Sequence, residues 1–297
     1  MRGVLVTRFG GPEVLRLAEV ERPAPISTEV LVRVVAAGIN PVDCKTRRGE
    51  GVARWMGRPP FIPGWDVCGV VDAMGYGVTR FKVGDMVFGM PRFPRLAGGY
   101  AEFVAAPSLQ FARVPEGTSP IEAAALPLAA LTAWQCLVDA AQVGEGQTVL
   151  VHGAGGGVGH LAVQIANARG ARVVSTTGRD DRAALDMRDV DVALDLVGGQ
   201  DTGALITTVR EAGLLLAVAG GATEGVKAEA MARGVRVEEP LVEPDGHALD
   251  EIVKLVRSGV LKVTVGETFP LEQAAAAHER LERGGVRGKL VLEVGHD

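Results

Sequence analysis

The chain has 297 residues, enough for two domains of ordinary size, and 47% of them are hydrophobic, so a large core can be buried. The formal net charge is −5, and no block of Lys and Arg is interleaved with aromatic residues, which argues against nucleic acid or an anionic membrane as the main partner. The three cysteines provide neither a disulfide framework nor a C-x-x-C metal pair, and no secretion signal or membrane-spanning run is visible, so we expect a cytoplasmic protein.

The first part of the chain, to about residue 115, has the short alternating apolar runs that are typical of β-strands. Predicted strands cover residues 1–7, 29–35, 69–73, 86–89 and 100–105. Turn sequences such as Gly75-Tyr76-Gly77 and Val83-Gly84-Asp85 separate them. This spacing predicts a β-rich domain.

Helices and strands alternate from residue 119 onwards. Ser119, followed by Pro120 and Glu122, predicts a helix start, and alanine-rich helical sequence continues to about residue 141. Further strands are predicted at 148–152, 171–175, 190–197, 214–219 and 261–265, with helices up to residue 169 and over 201–210 and 247–258. This α/β alternation predicts a parallel sheet with both faces covered.

The end of the chain is predicted to return to the β-rich domain. An amphipathic helix over 271–283 ends at Gly284-Gly285, and a strand over 289–294 closes the chain. We therefore expect a discontinuous first domain, residues 1–118 and 267–297, and a second domain over residues 119–266.

A glycine-rich turn between a predicted strand and helix points to a dinucleotide. Ala154, Gly156 and Gly159 fill the positions of a G-x-G-x-x-G fingerprint, with Ala first. Glycines let the backbone approach a pyrophosphate, and the following helix N-terminus offers N–H groups and partial positive charge. Gly155, Gly156, Gly157 and Val158 are the predicted phosphate-binding residues. The alternative is a tight structural turn without a ligand.

The end of the following strand indicates which dinucleotide binds. An NAD site places Asp or Glu there, whereas this chain has Thr176, Thr177 and Arg179. Hydroxyl groups and a guanidinium suit a 2′-phosphate, so we predict NADP(H). The alternative is that Arg179 is a solvated loop charge. Leu196, Val197, Ala219 and Gly220 follow later strands at the edge where open α/β sheets bind ligands, and complete the predicted cofactor site.

Five segments, in order over nearly the whole chain, form a series of motifs. They are Ala37-Gly38-Ile39-Asn40-Pro41-Val42-Asp43, Pro63-Gly64-Trp65-Asp66 with Gly69, Val83-Gly84-Asp85-Met86-Val87, Ala124-Ala125-Leu126-Pro127 with Leu131-Thr132-Ala133, and His278 with Arg287-Gly288-Lys289-Leu290-Val291. Together they resemble the zinc-independent medium-chain dehydrogenases/reductases, and most of all the quinone oxidoreductases.

The resemblance implies a GroES-like β-barrel catalytic domain and a Rossmann cofactor domain, with the active cleft between them. It implies NADPH-dependent reduction of quinones or other electron-poor enones and carbonyls. Thr132 would meet the nicotinamide side, and Lys289 would contact the cofactor. It also implies a homodimer formed by pairing sheet edges, for which the apolar strand 214–219 is the candidate edge.

No metal is expected. The positions that hold catalytic zinc ligands in related alcohol dehydrogenases are Asn40, Trp65 and a residue near Leu128 here, and the cysteine cluster of the structural zinc is missing. A zinc alcohol dehydrogenase is therefore disfavoured. Hydride would have to reach a substrate that is already electron-poor, with the protein supplying orientation and a hydrogen bond to the developing oxyanion.

Asn40 and Lys45 are the predicted catalytic residues. Asn40 would contact nicotinamide or substrate; its alternative role is to form the turn before Pro41. Lys45 stands where many quinone reductases carry Tyr and would donate a proton; its alternative is a solvated charge. Gly51 replaces another family Tyr, so Trp55 and Trp65 are the remaining candidates for an aromatic wall.

The segment between residues 177 and 190 is too short for a full βαβ unit, which needs roughly 30 residues. We therefore predict a Rossmann sheet shortened by one strand and a more open adenine pocket. Two further functions stay open: an NADPH-binding sensor without efficient turnover, and an enoyl reductase in a biosynthetic pathway.

Overall fold

The computed structural model describes residues 1–176 and 186–295. The chain divides into a first unit, Met1–Leu131 with Glu243–Asp297, and a second unit, Thr132–Val242. These boundaries differ from the predicted ones, which fell between residues 118 and 119 and between 266 and 267. The difference arises because the helices Pro120–Ala124 and Gly246–Arg257 contact strands of the first unit. The domain boundaries themselves stay predictions. In the described part of the chain, no helix is long and apolar enough to cross a membrane.

Within the described residues, strands and helices alternate mainly in the later part of the chain. The strands are β1 (Arg2–Val6), β2 (Leu15–Glu19), β3 (Glu29–Ile39), β4 (Asp66–Met74), β5 (Met86–Gly89), β6 (Phe103–Pro107), β7 (Phe111–Arg113), β8 (Thr148–His152), β9 (Arg172–Thr176), β10 (Val190–Asp195), β11 (Val209–Ala217), β12 (Arg236–Glu238), β13 (Val265–Pro270) and β14 (Lys289–Glu293).

The α-helices are short. They are α1 (Pro41–Arg47), α2 (Pro120–Ala124), α3 (Pro127–Trp134), α4 (Gly159–Ala168), α5 (Asp201–Thr208), α6 (Glu224–Ala232), α7 (Gly246–Arg257) and α8 (Ala274–Glu282), and α3 continues as a π-helix over Gln135–Ala140. The predicted helix start at Ser119 is confirmed: its hydroxyl accepts from the Glu122 N–H at 3.2 Å, and Pro120 occupies the first turn.

The first unit contains a large sheet in the order β13-β14-β3-β4-β5-β7, with β6 also paired to β3, and a two-stranded sheet of β1 and β2. The central strand β3 is buried along nearly its whole length because its residues are almost all apolar. The closing strand β14 pairs antiparallel with β3, with Leu290 opposite Ile39. The prediction that the end of the chain returns to the β-rich part is therefore confirmed.

The second unit contains a parallel five-stranded sheet in the order β12-β11-β10-β8-β9. Its inner strands are buried apolar runs, as a sheet covered on both faces requires. The order is that of a Rossmann sheet without its third strand, and β9 is the edge strand within the described residues. The predicted shortened Rossmann fold is confirmed.

Two strand predictions in the later part of the chain are wrong. Residues 261–264 are not a strand; the pairing begins at Val265 in β13, which joins the first unit's sheet beside β14. The candidate edge strand 214–219 is not an edge, because β11 pairs with β10 on one side and β12 on the other. The sequence analysis predicted neither α6 nor β12. The strand β12 has only three residues, two of them charged, and so lacks the apolar pattern of a strand. The homodimer stays a prediction.

Candidate active site

The glycine-rich turn lies in the second unit, between β8 and α4. The Gly153 N–H donates to Thr176 Oγ1 at 3.2 Å, and the Ala154 N–H donates to the Thr176 carbonyl oxygen at 2.8 Å. The Gly156 N–H donates to the Gly153 carbonyl oxygen at 3.1 Å. These bonds hold the turn against the end of β9, so the sequence folds here as a Rossmann turn should.

Three N–H groups of this turn are available to a ligand. Those of Gly155, Gly157 and Val158 make no hydrogen bond to any residue that the structure describes. They come immediately before α4, whose N-terminus carries a partial positive charge. Unpaired N–H groups at such a position bind phosphate oxygens. The turn can therefore hold the pyrophosphate of a dinucleotide.

The close approach of helix and turn depends on Gly159. A Cβ atom there would lie 2.2 Å from the Gly153 carbonyl oxygen and 2.6 Å from the Ala154 Cα, and neither backbone atom can move without opening the turn. We expect Gly159→Ala to weaken NADPH binding by at least about tenfold in a calorimetric titration. Gly144→Ala is the control in the same unit, because a Cβ there meets nothing within 4 Å. Equal loss in both variants would contradict this prediction.

The carboxyl ends of neighbouring strands bring the other predicted cofactor residues of the second unit to one edge of the sheet. Leu196 and Val197 follow β10, and Ala219 and Gly220 follow β11. The side chain of Asp195, the last residue of β10, shapes the first of these loops. Its Oδ1 accepts from the N–H groups of Val197 at 3.0 Å and Gly198 at 2.9 Å, and its Oδ2 accepts from the Thr202 hydroxyl at 2.6 Å.

Thr176 is buried at the end of β9, and its hydroxyl also contacts His152 Nδ1 at 2.8 Å. Thr176 is therefore occupied in holding β8 and β9 together. Thr132 is buried at 5% exposure. Thr177 and Arg179, the predicted 2′-phosphate residues, lie outside the described residues.

Asn40 lies in the first unit, at the end of β3 and immediately before α1. Its backbone N–H donates to Asp43 Oδ2 at 2.7 Å, so Asp43 caps the start of the helix. Asn40 therefore does form the turn before Pro41, which was its alternative role. Its side chain, however, is directed to other partners and is only 2% exposed.

Strand register brings those partners together. Because Ile39 is opposite Leu290 and Gly38 is opposite Asp66, the end of β3 meets Lys289 of β14 and Asp66 of β4. The Asn40 Nδ2 donates to Asp66 Oδ2 at 2.9 Å, and the Lys289 ammonium donates to Asn40 Oδ1.

The amide of Asn40 can adopt only one orientation in this cluster. Lys289 has donors alone and must face the amide oxygen, whereas the Asp66 carboxylate accepts and must face the amide nitrogen. Asp66 Oδ1 also accepts from the Leu128 N–H at 2.7 Å, which fixes the carboxylate. One Nδ2–H of Asn40 is left without a partner among residues 1–176 and 186–295. It is a pre-oriented hydrogen-bond donor.

Lys289 has no donor left for a cofactor. Its three N–H groups are used by the Ile39 carbonyl oxygen at 3.1 Å, by Asn40 Oδ1 and by Asp66 Oδ2 at 3.3 Å. Lys289 is 4% exposed and Asp66 is 0% exposed, so the pair is buried. The geometry favours a role for Lys289 in holding Asn40 rather than in touching a ligand.

The other predicted residues near Asn40 are placed as follows. Lys45 is half-buried on α1, with its aliphatic carbons beside Gly51. Trp55 is 40% exposed and stacks under the Arg54 guanidinium at 4.0 Å. Trp65 is fully buried, and its indole N–H donates to the Arg95 carbonyl oxygen at 2.7 Å. Trp65 is therefore a core residue, and its assignment to an aromatic wall is wrong.

Two buried titratable groups in the first unit have strongly shifted pKa values. Burial, helped by the charge of Asp66, raises the pKa of Asp43 to about 7 despite the Asn40 N–H. Burial, followed by the Arg47 charge, lowers the pKa of His278 to about 3. Burial also raises the pKa of the Cys44 thiol to about 12, so this cysteine is protonated and not a nucleophile.

These two shifts affect stability in opposite directions between about pH 4 and 6.5, the interval between the ordinary pKa values of Asp and His. Folded Asp43 keeps a proton that the unfolded chain has lost, so its contribution falls as pH rises. Folded His278 lacks a proton that the unfolded chain holds, so its contribution falls as pH drops.

We therefore expect Asp43→Asn to make the free energy of unfolding rise with pH more steeply than in the unmodified protein, by up to about 1.4 kcal/mol per pH unit, and His278→Gln to do the opposite. Urea unfolding at pH 4.5, 5.5 and 6.5 measures these slopes. His247→Gln, at an exposed histidine of α7, is the control. If the free energy of unfolding depends on pH in Asp43→Asn and His278→Gln as it does in the unmodified protein, the shifted pKa values do not belong to Asp43 and His278.

Sequence reasoning assigned no role to Asp43, Asp66, Asp195 or His278. Asp43, Asp66 and His278 lie within the family motifs, and membership of those motifs was the only sign in the sequence that they matter. Their partners are distant in sequence, 26 positions for Asn40 with Asp66 and 223 for Asp66 with Lys289.

The residues present do not fit a catalytic zinc ion. Asn40, buried Trp65 and Leu128 stand at the positions expected for its ligands. In the described part of the chain, no three His, Cys, Asp or Glu side chains lie together as a metal site. The expected lack of zinc stays a prediction.

Comparisons with known proteins agree with both units. The family model "Alcohol dehydrogenase GroES-like domain" matches residues 27–116, and "Zinc-binding dehydrogenase" matches residues 163–292. The quinone oxidoreductase of Rattus norvegicus is 32% identical over 98% of this chain and 97% of its own length.

Two solved structures extend the likeness to the whole fold. The quinone oxidoreductase from Coxiella burnetii has a TM-score of 0.90 at 33% identity, with 99% of each chain covered. The Escherichia coli quinone oxidoreductase complexed with NADPH has a TM-score of 0.86 at 27% identity, covering 99% of this chain and 100% of that one. The chain belongs to the quinone oxidoreductase family of the medium-chain dehydrogenases/reductases.

Proposed function

We propose that this oxidoreductase transfers hydride from NADPH to quinones or other electron-poor enones and carbonyls, without a catalytic metal ion. The observation that carries the proposal is the clamped amide of Asn40, with one N–H left for a substrate or nicotinamide oxygen. The family and the NADPH complex of the Escherichia coli relative support the choice of cofactor and substrate.

The second unit would hold the dinucleotide. The unpaired N–H groups of Gly155, Gly157 and Val158 would bind the pyrophosphate, with Gly156 giving the backbone room. Thr177 and Arg179, after the buried Thr176, would bind the 2′-phosphate. Leu196 with Val197, and Ala219 with Gly220, would contact the nucleotide at the sheet edge, and Thr132 its nicotinamide side.

When bound, NADPH supplies a hydride, which adds to an electron-poor carbon of the substrate and leaves negative charge on its oxygen. The Asn40 N–H would stabilise that charge, and it requires no reorganisation because Lys289 and Asp66 already fix the amide. We assign Lys289 a positioning role in place of the cofactor contact first expected. Lys45 would deliver the proton that completes the reduction.

A second candidate, an NADPH-binding protein without efficient turnover, is favoured by one observation. The Rossmann sheet lacks its third strand within the described residues, and that strand lies beside the adenine half of the cofactor site. Enoyl reduction in a biosynthetic pathway would use the same chemistry on another substrate.

Absorbance at 340 nm, followed with NADPH and separately with NADH, tests the proposal. The acceptors are 1,4-benzoquinone, 9,10-phenanthrenequinone and a simple enone, with EDTA present throughout. We expect NADPH-preferring, EDTA-insensitive turnover. NADPH binding without turnover would support the second candidate, and EDTA-sensitive turnover would overturn the metal-free mechanism.

A further inference from the structure

His152 is a buried polar residue to which the proposed function gives no role. It is the last residue of β8 and is only 6% exposed. Strand register places it between Thr176 of β9 and Asp195 of β10. His152 therefore lies directly before the phosphate-binding turn, at the edge of the sheet where ligands bind in this fold.

The Thr176 hydroxyl connects His152 to that turn. Its oxygen accepts from the Gly153 N–H at 3.2 Å and lies 2.8 Å from His152 Nδ1. Thr176 is 2% exposed, so its hydroxyl proton is shielded from water and needs an acceptor in the protein. Among the residues that the structure describes, His152 Nδ1 is that acceptor. The hydroxyl therefore donates to Nδ1 while it accepts from Gly153.

The other ring nitrogen leads to the same assignment. His152 Nε2 is buried and makes no hydrogen bond within residues 1–176 and 186–295. The Oδ2 atom of Asp201 lies 3.8 Å from it, too far for a hydrogen bond. A lone pair on Nε2 would be repelled by this carboxylate, whereas an N–H is attracted to it. The neutral imidazole therefore carries its proton on Nε2, and Nδ1 accepts.

Gly153 is the residue at which the turn begins, and its conformation needs support. Its φ of 93° lies in the left-handed region, and a glycine can leave this region easily because it has no side chain. The N–H groups of Gly155, Gly157 and Val158, which are available to phosphate, follow directly. A turn that is already ordered binds its ligand more tightly, because no binding energy is used to order it.

We propose that His152 is a positioning residue for the dinucleotide. Its Nδ1 atom holds the Thr176 hydroxyl in the orientation that accepts from the Gly153 N–H, and this bond fixes the phosphate-binding turn before the ligand arrives. His152 acts through Thr176 and not by contact with the ligand, since Nδ1 is bound to Thr176 and Nε2 is buried. The choice of NADPH as the ligand rests on the proposed function.

Two substitutions at His152 distinguish its two ring nitrogens. The side-chain oxygen of Asn can accept at the place of Nδ1, whereas the amide of Gln reaches the place of Nε2 and leaves the Thr176 hydroxyl without its acceptor. In a calorimetric titration, we expect His152→Gln to raise the dissociation constant for NADPH about tenfold and His152→Asn to change it by less than about threefold.

Thr148→Val is the matched control for these variants. Thr148 lies on the same strand and the same face as His152, at the opposite end of β8, so its replacement should leave the dissociation constant unchanged. Equal weakening of NADPH binding by His152→Asn and His152→Gln would mean that the imidazole only fills space, and the proposal would fall.

A double-mutant cycle tests whether His152 acts through Thr176. Thr176→Val retains the shape of the side chain but removes the hydroxyl, and it should also weaken NADPH binding about tenfold. We expect the double variant with His152→Gln to bind NADPH as tightly as Thr176→Val alone, because both substitutions remove the same link. Losses that add in the double variant would overturn the proposal.

The tautomer of His152 provides a test that needs no ligand. In protein labelled with 15N-histidine, two-bond 1H–15N correlations show which ring nitrogen carries the proton, and the His152 resonances are those that disappear in Thr176-intact His152→Gln. We expect the proton on Nε2; a proton on Nδ1 would overturn the proposal, and this result also decides if a variant does not fold. If the unmodified protein does not bind NADPH, the proposed function fails, and the same cycle measured by urea unfolding decides the link. Non-additive losses of stability would then support it, and additive losses would overturn it.

Discussion

Lys289→Met is expected to destabilise the first unit by about 3–5 kcal/mol, because it leaves the Asp66 carboxylate buried without its cation. Methionine retains most of the aliphatic volume, so the loss reports the charge rather than a cavity. The variant should also lose reductase activity, since nothing then fixes the Asn40 amide oxygen. Urea unfolding at pH 7 measures the first effect, and turnover with NADPH and a quinone measures the second.

Two further variants isolate the charge pair. Lys82→Met changes an exposed lysine of the same unit and should alter stability by less than about 0.5 kcal/mol. Adding Asp66→Asn to Lys289→Met should restore part of the lost stability, because it removes the uncompensated charge. If the double variant is less stable than Lys289→Met alone, the pair is not the source of the loss.

The sequence predicted elements well where local pattern decides them. The strand β5 and the helix start at Ser119 follow from alternation and capping, and the return of β14 to the first unit follows from its apolar run after a helix stop. The turn at Gly155 follows from its place between a strand and a helix.

The remaining features depend on contacts between distant residues. Leu261 is buried, and its apolar neighbourhood resembles a strand, yet its N–H donates to the Leu255 carbonyl oxygen at the end of α7, and β13 begins only at Val265. The clamp on Asn40 exists because strand register places Lys289 and Asp66 at the end of β3. No periodicity within one segment contains that information, so Lys289 was first assigned to the cofactor.

Asn40→Ala is expected to lower kcat for quinone reduction by about 10²- to 10³-fold, as removal of an oxyanion donor does in other enzymes. The dissociation constant for NADPH should change little, since the phosphate donors belong to the second unit. Stopped-flow hydride transfer and a binding titration separate the two quantities.

The control for this variant must account for the helix start, because Asn40 also precedes α1 and its replacement costs about 1 kcal/mol at such a position. Ser119→Ala removes a comparable cap from α2 in the same unit and should cost a similar amount without changing kcat. If both variants lose the same amount of stability and both keep the kcat of the unmodified protein, the role of Asn40 is limited to the start of α1. Asn40→Ala also removes the buried hydrogen bonds to Asp66 and Lys289, so its loss of stability should exceed that of Ser119→Ala. A rate lost in Asn40→Ala alone would mean that the Asn40 amide, and not the helix cap that both variants lose, serves the reaction.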